Sequence, residues 1–101
     1  MRLRLSPVIR REKILEAAIS LAIEKGRQQL TRSAVAERAQ CVSGLINHYF
    51  KDLGGLKTEV MDEAIKKEII PILAENYVLW GEETANIPET IKAKIVQYIT
   101  N

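Results

Sequence analysis

The stretch from Thr31 to Lys51 (TRSAVAERAQCVSGLINHYFK) constrains the fold more than any other part of the chain. Thr31 is a typical helix-start residue, because its hydroxyl can accept a hydrogen bond from a backbone N–H that has no partner within the helix. Small apolar residues then recur at helical spacing as far as Ala39, where the pattern breaks. The stretch therefore predicts two short helices joined by a tight turn.

The second of these short helices has two different faces. Val42, Ile46 and Phe50 lie four residues apart and form an apolar stripe that should face a partner helix. The other side carries small or polar residues, namely Ser43, Gly44, Asn47, His48 and Lys51. A helix that packs on one side and can approach base edges on the other is what a reader of the DNA major groove requires.

Residues on both sides of this stretch complete an ordered pattern. They are Arg11, Ile14-Leu15, Ala17-Ala18, Leu21, Gly26, Thr31, Val35-Ala36, Ala39, Gly44, Tyr49-Phe50-Lys51 and Leu56. The pattern resembles the DNA-binding domain of tetracycline-repressor-type (TetR-type) regulators. The resemblance covers roughly the first 60 residues without a gap, which suits a two-helix motif with its flanks.

Composition favours a small all-α protein. The chain has 101 residues, 47% of them hydrophobic and only 5% aromatic, and no alternation of β-branched residues indicates a sheet. Its single cysteine, Cys41, excludes an intramolecular disulfide and is predicted to be a small buried hydrophobe. No segment has the length and apolarity of a membrane span or a signal peptide, so we expect a cytoplasmic protein.

Charge is distributed unevenly along the chain. Residues 1–51 carry ten Lys/Arg and four Glu, giving +6, and residues 52–101 carry five Lys and nine acids, giving −4, which together make the net +2. A basic first half is expected of a protein with one surface facing a polyanion. An uneven distribution of ordinary surface charge is the alternative interpretation.

Hydrophobic periodicity predicts a further helix before the two-helix motif. This first helix should run from Val8 or Arg11 to Lys25, with Gly26 as its C-terminal stop. It should pack over the two short helices and fix the angle between them. Residues 1–53 therefore form the predicted helix-turn-helix head, including a basic N-terminal arm.

Residues 54–101 are predicted to form a short helical dimerisation region within the same compact domain. A fourth helix should run from Leu56 to Glu68, and Pro71 should kink or split it because proline lacks a backbone donor. A short amphipathic final helix should follow the Asn86-Ile87-Pro88-Glu89 start signal. Two copies would close a four-helix bundle as a homodimer. Folding of these helices onto the first helix of the same chain is the alternative.

The third helix supplies the predicted base contacts. Asn47 can pair with adenine N6 and N7 simultaneously, and His48 can donate to guanine or to a phosphate. Gly44 permits close approach to DNA, and Leu45 can contact a thymine methyl group. The predicted DNA-facing residues of this helix are thus Ser43, Gly44, Leu45, Asn47 and His48. Plain solvent exposure is the alternative for Asn47 and His48.

The resemblance also implies contacts with the sugar-phosphate backbone. The start of the second helix should point toward DNA, where its positive end favours a phosphate. The predicted backbone contacts are Thr31, Arg32, Ser33, Tyr49 and Lys51. For Tyr49, packing against the first helix is the alternative. The basic arm should also reach a minor groove or a phosphate, with a solvated tail as the alternative. Its cations are Arg2, Arg4, Arg10 and Arg11.

Three residues depart from the family's pattern. Gln40 stands where a glycine is usual, Val42 where a Ser or Thr caps the third helix, and Leu53 where a basic residue begins the fourth. A non-glycine residue in a left-handed turn conformation costs about 1–2 kcal/mol. We therefore expect either a strained turn or a third helix that begins one residue later, with Ser43 as a substitute cap.

These features predict a sequence-specific double-stranded DNA-binding transcriptional regulator, most simply a repressor, acting as a homodimer on a partly palindromic operator. The alternative is a helix-turn-helix-derived module that binds another regulator or a polymerase subunit. An enzyme is rejected, because one His and one Cys give no metal spacing and no phosphate loop or paired acids occur. No cofactor, metal ion or membrane partner is expected, and the short C-terminal region leaves little room for a small-molecule effector.

Overall fold

The structure, a computed structural model, describes residues 6–80 and 87–100. Within these residues it contains six α-helices, one 3₁₀ turn at Arg27–Gln29 and no strand. The helices are α1 (Pro7–Lys25), α2 (Arg32–Ala39), α3 (Gly44–Phe50), α4 (Leu53–Lys67), α5 (Ile70–Trp80) and α6 (Glu89–Thr100). The all-α prediction is confirmed.

The chain divides into two compact units, residues 1–60 and residues 61–101. The first unit contains α1, α2, α3 and the first half of α4. The second contains the rest of α4 together with α5 and α6. The helix-turn-helix motif therefore lies entirely within the first unit.

Local signals define both ends of α1. The Ser6 hydroxyl accepts a hydrogen bond from the Ile9 N–H at 3.2 Å, and Pro7 occupies the first turn, where a missing N–H costs nothing. Gly26 ends the helix with φ 99°, a conformation that favours glycine, as predicted. The helix starts at Pro7, close to the earlier of its two predicted starts, so Arg10 and Arg11 belong to α1 and not to a flexible arm. Arg2 and Arg4 lie outside the described residues.

Small side chains allow α1 and α2 to pack closely in the first unit. Ala18 and Ala36 are buried where the two helices meet the core. The larger buried side chains around them are Ile14, Leu21, Leu30, Val35, Ile46, Phe50, Leu56 and Val60. This core supports α3 from behind, because Ile46 and Phe50 are the buried face of that helix.

Two turn residues differ from their predicted burial. Val42 is 71% exposed, and its predicted place on the buried stripe of α3 is wrong. The physical reason is that α3 begins only at Gly44, so Val42 belongs to the turn and not to the helix. Cys41 is half-buried and not fully buried as expected.

The fourth helix begins at Leu53, earlier than the start near Leu56 that the apolar pattern predicts and at the position where the family's pattern begins it. The carboxylate of Asp52 accepts a hydrogen bond from the Gly55 N–H at 2.7 Å and so satisfies an N–H of the first turn. The glycine pair at positions 54 and 55 is typical of a loop, but this cap holds it in the helix. The apolar pattern alone misses this first turn, because two adjacent glycines have low helix propensity.

The predicted split near Pro71 is confirmed. Helix α4 ends at Lys67, Glu68 takes a left-handed conformation with φ 53°, and α5 starts at Ile70 with Pro71 in its first turn. Proline is tolerated at this position because its missing N–H would have no helical partner there. In the second unit α5 packs against α6.

The second unit buries one part of its apolar surface and exposes another. The buried side chains of α5 and α6 include Ile72, Leu73, Ile91 and Ile95. Large apolar side chains that remain exposed are Val78, Leu79, Val96, Tyr98 and Ile99. Asn86, the predicted cap of the last helix, lies outside the described residues. None of the helices in the described ranges is long and apolar enough to cross a membrane.

Candidate nucleic-acid interface

The start of α2 presents three polar residues to solvent. Thr31 has an extended backbone (φ −130°, ψ 157°), and its hydroxyl accepts a hydrogen bond from the Ala34 N–H at 3.1 Å. Arg32 and Ser33 are exposed on the first turn of the helix. Since a Thr hydroxyl that accepts a bond can still donate one, Thr31 caps the helix and keeps a donor for an anion. This end of α2 has the partial positive charge of a helix N-terminus.

The turn between α2 and α3 is held in a strained conformation. Gln40 lies in the left-handed region (φ 59°, ψ 48°), where a side chain costs about 1–2 kcal/mol. The Cys41 N–H donates to the Ala36 carbonyl at 2.9 Å, a bond that closes the end of α2. The predicted strain is confirmed, and it allows the chain to reverse within a few residues.

The start of α3 is closed by backbone carbonyls. Ser43 has right-handed helical angles (φ −62°, ψ −26°), and the helix begins at Gly44, so the predicted late start is also confirmed. The Val42 and Ser43 carbonyls accept hydrogen bonds from the Leu45 and Ile46 N–H groups, both at 3.1 Å. The predicted substitution of Ser43 as a side-chain cap is wrong, because in this geometry the main chain has taken over that task. The exposed Ser43 hydroxyl is therefore not used in capping the helix.

The outer face of α3 carries the predicted reading residues. Ser43, Gly44, Asn47 and His48 are exposed, and Leu45 is half-buried at the edge of this face. The Ser43–Asn47 and Gly44–His48 pairs are each four residues apart and lie next to each other on the helix surface. Behind them the core anchors the same helix through Ile46 and Phe50. The structure therefore brings these five residues together on one surface, at the start and outer face of α3.

Tyr49 and Lys51 lie at the end of α3. Tyr49 is half-buried, and its ring meets the His48 ring edge-on, with 4.7 Å between the ring centres and 79° between the planes. This contact restricts the orientation of His48 relative to its neighbour. Lys51 is exposed, and its N–H donates to the Asn47 carbonyl at 3.0 Å.

Two glycines near α3 have opposite roles. A Cβ atom added at Gly44 would meet no atom within 4 Å, so packing among the described residues does not demand glycine there. A Cβ atom added at Gly55 would lie 2.1 Å from the Phe50 carbonyl oxygen, so the fold does demand glycine at that position. Gly44 thus leaves room for an external group at the start of α3, and Gly55 allows α4 to pass close to its end.

Arg11 has a scaffold role that the sequence did not reveal. Its guanidinium forms an ion pair with Glu59 of α4 and lies over the Phe50 ring of α3, 4.4 Å from the ring centre. One side chain of α1 therefore contacts both of the helices that follow the turn. The predicted use of Arg11 as a DNA contact of the arm conflicts with this engagement. Its ion-pair partner lies 48 residues away in sequence, which no local pattern could indicate.

Arg38 joins α2 to α1 in a similar way. Its guanidinium donates to Ser20 Oγ at 2.9 Å and lies 2.8 Å from a carboxylate oxygen of Glu24. The hydrogen bond from Arg38, helped by its positive charge, lowers the pKa of Glu24 below the usual value. Both residues are on the surface, so the pair adds to the α1–α2 contact without replacing its apolar core.

Comparison with known proteins is consistent with this geometry. Residues 14–56 match the family of bacterial regulatory proteins known as the tetR family. The matched segment begins in α1 and ends at Leu56 in the first turns of α4, so it contains α2, the turn and α3 in full. No solved structure matches the chain at a significant level.

Curated relatives are similar over the same region. The "HTH-type transcriptional regulator BetI" of Serratia proteamaculans (strain 568) is 38% identical over 53 residues, which is 52% of this chain and 27% of that protein. The protein of the same name from Yersinia pestis (strain Pestoides F) is 34% identical over 58 residues, 57% of this chain and 29% of that protein. The Klebsiella pneumoniae (strain 342) protein is 38% identical over 53 residues.

The chain thus spans between 27% and 29% of the length of these relatives. The matched family and relatives are named as regulators and not as enzymes, in agreement with the predicted class of protein. The ordered sequence pattern and the similarity to known proteins both cover α2 and α3, the helices that carry the candidate interface. Over residues 14–56, the chain is therefore similar to the tetR family of bacterial regulatory proteins.

Proposed function

We propose that this protein is a sequence-specific double-stranded DNA-binding transcriptional regulator, acting as a homodimer on a partly palindromic operator. The observation that carries the proposal is the two-sided character of α3. Ile46 and Phe50 fix the helix to the core, and its other face exposes small and polar groups at helical spacing. Such a helix fits a major groove, which is wide enough to admit it.

Base reading is assigned to the exposed face of α3. Asn47 offers an amide that pairs with the N6 and N7 atoms of adenine, a bidentate contact worth about 1–3 kcal/mol of discrimination. His48 donates to guanine or to a phosphate, and the half-buried Leu45 presents methyl groups to thymine. Gly44 lets the backbone come close to the bases, because nothing projects from its position. Ser43 contributes a hydroxyl at the start of the same face.

Backbone binding is assigned to both ends of this interface. Thr31, Arg32 and Ser33 form the exposed, positive start of α2, which suits a phosphate. Tyr49 and the exposed Lys51 follow the reading face at its other end. These contacts would position the protein on any duplex and would carry little sequence preference.

Dimerisation is assigned to the second unit. Its exposed apolar side chains on α5 and α6 include Leu79, Val96, Tyr98 and Ile99, and contact with a second copy would remove them from water. Two reading helices spaced by about 34 Å would then occupy successive major grooves of an inverted repeat. Repression by occlusion of a promoter follows most simply from such binding. The cytoplasmic location and the lack of a small-molecule effector stay predictions.

The relatives support the regulatory part of the proposal. They carry the name "HTH-type transcriptional regulator", and the segment they share with this chain is the one that contains α2 and α3. A protein-interaction module derived from the same fold is the second candidate. The observation that favours it is Val42, an apolar side chain that is 71% exposed in the turn, where a helix cap is usual in the family.

Selection of bound duplexes from a random pool at moderate salt separates the two candidates. Recovery of a short inverted repeat, with sedimentation of the free protein as a dimer, is the expected result. Recovery of a single half-site by a monomeric protein would support DNA binding and would contradict the proposed homodimer. Recovery of no enriched sequence by a folded dimer would contradict the DNA-binding proposal and favour the interaction module.

A further inference from the structure

A cleft of about 350 Å³ lies between the first half of α1 and the turn that joins α2 to α3. Its α1 wall contains Arg10, Lys13 and Ile14. Its opposite wall contains Cys41 and Val42 of the turn and Leu45 of α3. The cleft opens to solvent directly beside the residues that lead into the candidate reading helix.

The charge of this cleft has one sign. Arg10 and Lys13 are three residues apart on α1, so both side chains emerge on the same face of the helix. All residues of the cleft wall belong to the described part of the chain, and none of them is an acid. The nearby cations Arg11 and Arg38 are engaged elsewhere, with Glu59 and Glu24. The cleft therefore offers two positive side chains to an anion from outside.

The other groups in the cleft do not compete with such an anion. Burial raises the pKa of the Cys41 thiol. The positive charge of Arg10 lowers this pKa, but its effect is the smaller of the two. The thiol is therefore neutral near neutral pH. Val42 and Leu45 give the opposite wall an apolar edge, which suits the sugar part of a nucleotide more than a fully hydrated ion.

The position of the cleft matches the width of a major groove. Helix α2 has eight residues, which corresponds to a length of about 12 Å. Its start carries Thr31, Arg32 and Ser33, and its end leads into the cleft wall at Gln40. A major groove is also about 12 Å wide. With α3 in the groove, the two ends of α2 would face the two strands that border it.

We propose that this cleft binds a phosphate of the DNA backbone through Arg10 and Lys13, on the strand opposite the one held by the start of α2. The inference rests on the proposed DNA-binding function and adds a further phosphate site to the two that it assigns. Helix α1 then has two roles, since its inner face forms the core and its first half touches the duplex. The contact is made to the backbone and acts equally on all sequences.

A double variant of the full chain, Arg10→Gln with Lys13→Gln, tests the site. Affinity for the selected operator and for a scrambled duplex of equal length is measured as a function of salt. We expect both affinities to fall together. The slope of log K against log[salt] is negative, and its magnitude should decrease by about 0.9 for each phosphate that the variant no longer neutralises. Lys25→Gln is the matched control, because Lys25 is an exposed cation at the far end of the same helix. It should leave both the affinity and the slope unchanged.

Cys41 provides a second measurement, because it is the only cysteine of the chain and lies in the cleft. Bound duplex should slow its alkylation in the wild-type protein, and this protection should be weaker in the double variant when that variant is saturated with DNA. If the wild type binds DNA while the double variant keeps the full salt slope and the full protection of Cys41, the phosphate site is wrong and the DNA-binding function stands. If the wild type binds no duplex, both proposals fall.

Discussion

Gln40 occupies a left-handed backbone conformation (φ 59°) at the one point where α2 must reverse into α3. The backbone bond from Cys41 to Ala36 keeps it there, because releasing the strain would break the end of α2. The turn is therefore a place where the sequence is not optimal for the conformation it adopts. Strain of this kind is expected to appear as reduced stability, about 1–2 kcal/mol for a residue with a Cβ atom.

Gln40→Gly should raise the free energy of unfolding by up to about 1 kcal/mol, because relief of the strain exceeds the extra entropy that glycine gives the unfolded chain. Urea unfolding followed by circular dichroism measures the change. Gln40→Ala is the control, since it removes the amide but keeps the Cβ atom, and it should not stabilise the protein. A glycine variant no more stable than the alanine variant would show that the turn is unstrained.

Glycine substitutions separate folding from binding at the two ends of α3. Gly44→Ala should leave stability unchanged or slightly higher, because the added Cβ meets no atom and alanine favours a helix. Operator affinity should nevertheless decrease, since the methyl group would fill the space that the proposal assigns to the bases. Gly55→Ala should destabilise the protein by about 1–3 kcal/mol or more, because its Cβ would lie 2.1 Å from the Phe50 carbonyl oxygen.

Thermal unfolding and duplex binding are measured on both of these variants. Full operator affinity for Gly44→Ala, with its fold intact, would mean that DNA does not approach this position. A Gly55→Ala protein as stable as the wild type would show that α4 can move away from the end of α3.

At the scale of the elements, side chains from α1 hold the head together. Arg11 contacts Glu59 of α4 and the Phe50 ring of α3, and Arg38 of α2 contacts Glu24 of α1. These contacts surround an apolar core and orient the helices that carry the candidate interface. Polar contacts and the apolar core therefore both hold α3 in its position relative to α1 and α2.

The Glu24–Arg38 pair makes part of this contact dependent on pH. The hydrogen bond from Arg38 lowers the pKa of folded Glu24 below the ordinary 4.5, so ionised Glu24 is favoured by folding. The resulting stabilisation is fully present above pH 4.5 and is lost as the pH falls through the lowered pKa. A double-mutant cycle with Glu24→Gln and Arg38→Gln measures it by urea unfolding.

This cycle should show a small favourable coupling at neutral pH that disappears well below pH 4.5. The coupling should also weaken in high salt, because both side chains are on the surface. A coupling of equal size at acidic and neutral pH would mean that the ion pair is not its source.

Local signals explain which elements the sequence predicted well. The start of α2 at Thr31, the stop of α1 at Gly26 and the break near Pro71 each depend on one residue type with a strong backbone preference. The exposed face of α3 was predictable for the same reason, since helical spacing decides which residues share a face.

Other features depended on contacts that a local pattern does not contain. The start of α4 at Leu53 needed the Asp52 side chain to cap a glycine-rich turn. The exposure of Val42 followed from the exact first residue of α3, and helix ends are the least predictable part of an element. The engagement of Arg11 with Glu59 joins positions far apart in the chain.

At the scale of the whole molecule, charge is distributed unevenly along the chain. Residues 1–51 carry +6 and contain the candidate interface, whereas residues 52–101 carry −4. The second unit holds exposed apolar side chains on α5 and α6, including Tyr98 and Ile99. Both features are consistent with the proposal that the first unit binds DNA and the second unit self-associates.

Tyr98→Glu should convert the proposed dimer into a monomer, because a charge would have to be buried in an apolar contact. Sedimentation measures the change in mass. Affinity for the full operator should fall when the dimer is lost, and affinity for an isolated half-site should be unchanged. Gln97→Glu is the matched control, since it adds the same charge at the neighbouring exposed position. A Tyr98→Glu protein that remains dimeric would place the self-association surface elsewhere.

The most direct test of the reading role of α3 compares Asn47→Ala with Lys51→Ala on the selected operator and on scrambled duplexes over a range of salt. Asn47→Ala should lose about 1–3 kcal/mol on the operator and little on scrambled DNA, because a base contact acts only on its own sequence. Lys51→Ala should weaken all duplexes alike and reduce the salt slope by about one. Equal loss on every sequence for Asn47→Ala, or no loss at all, would contradict the claim that this face of α3 reads DNA.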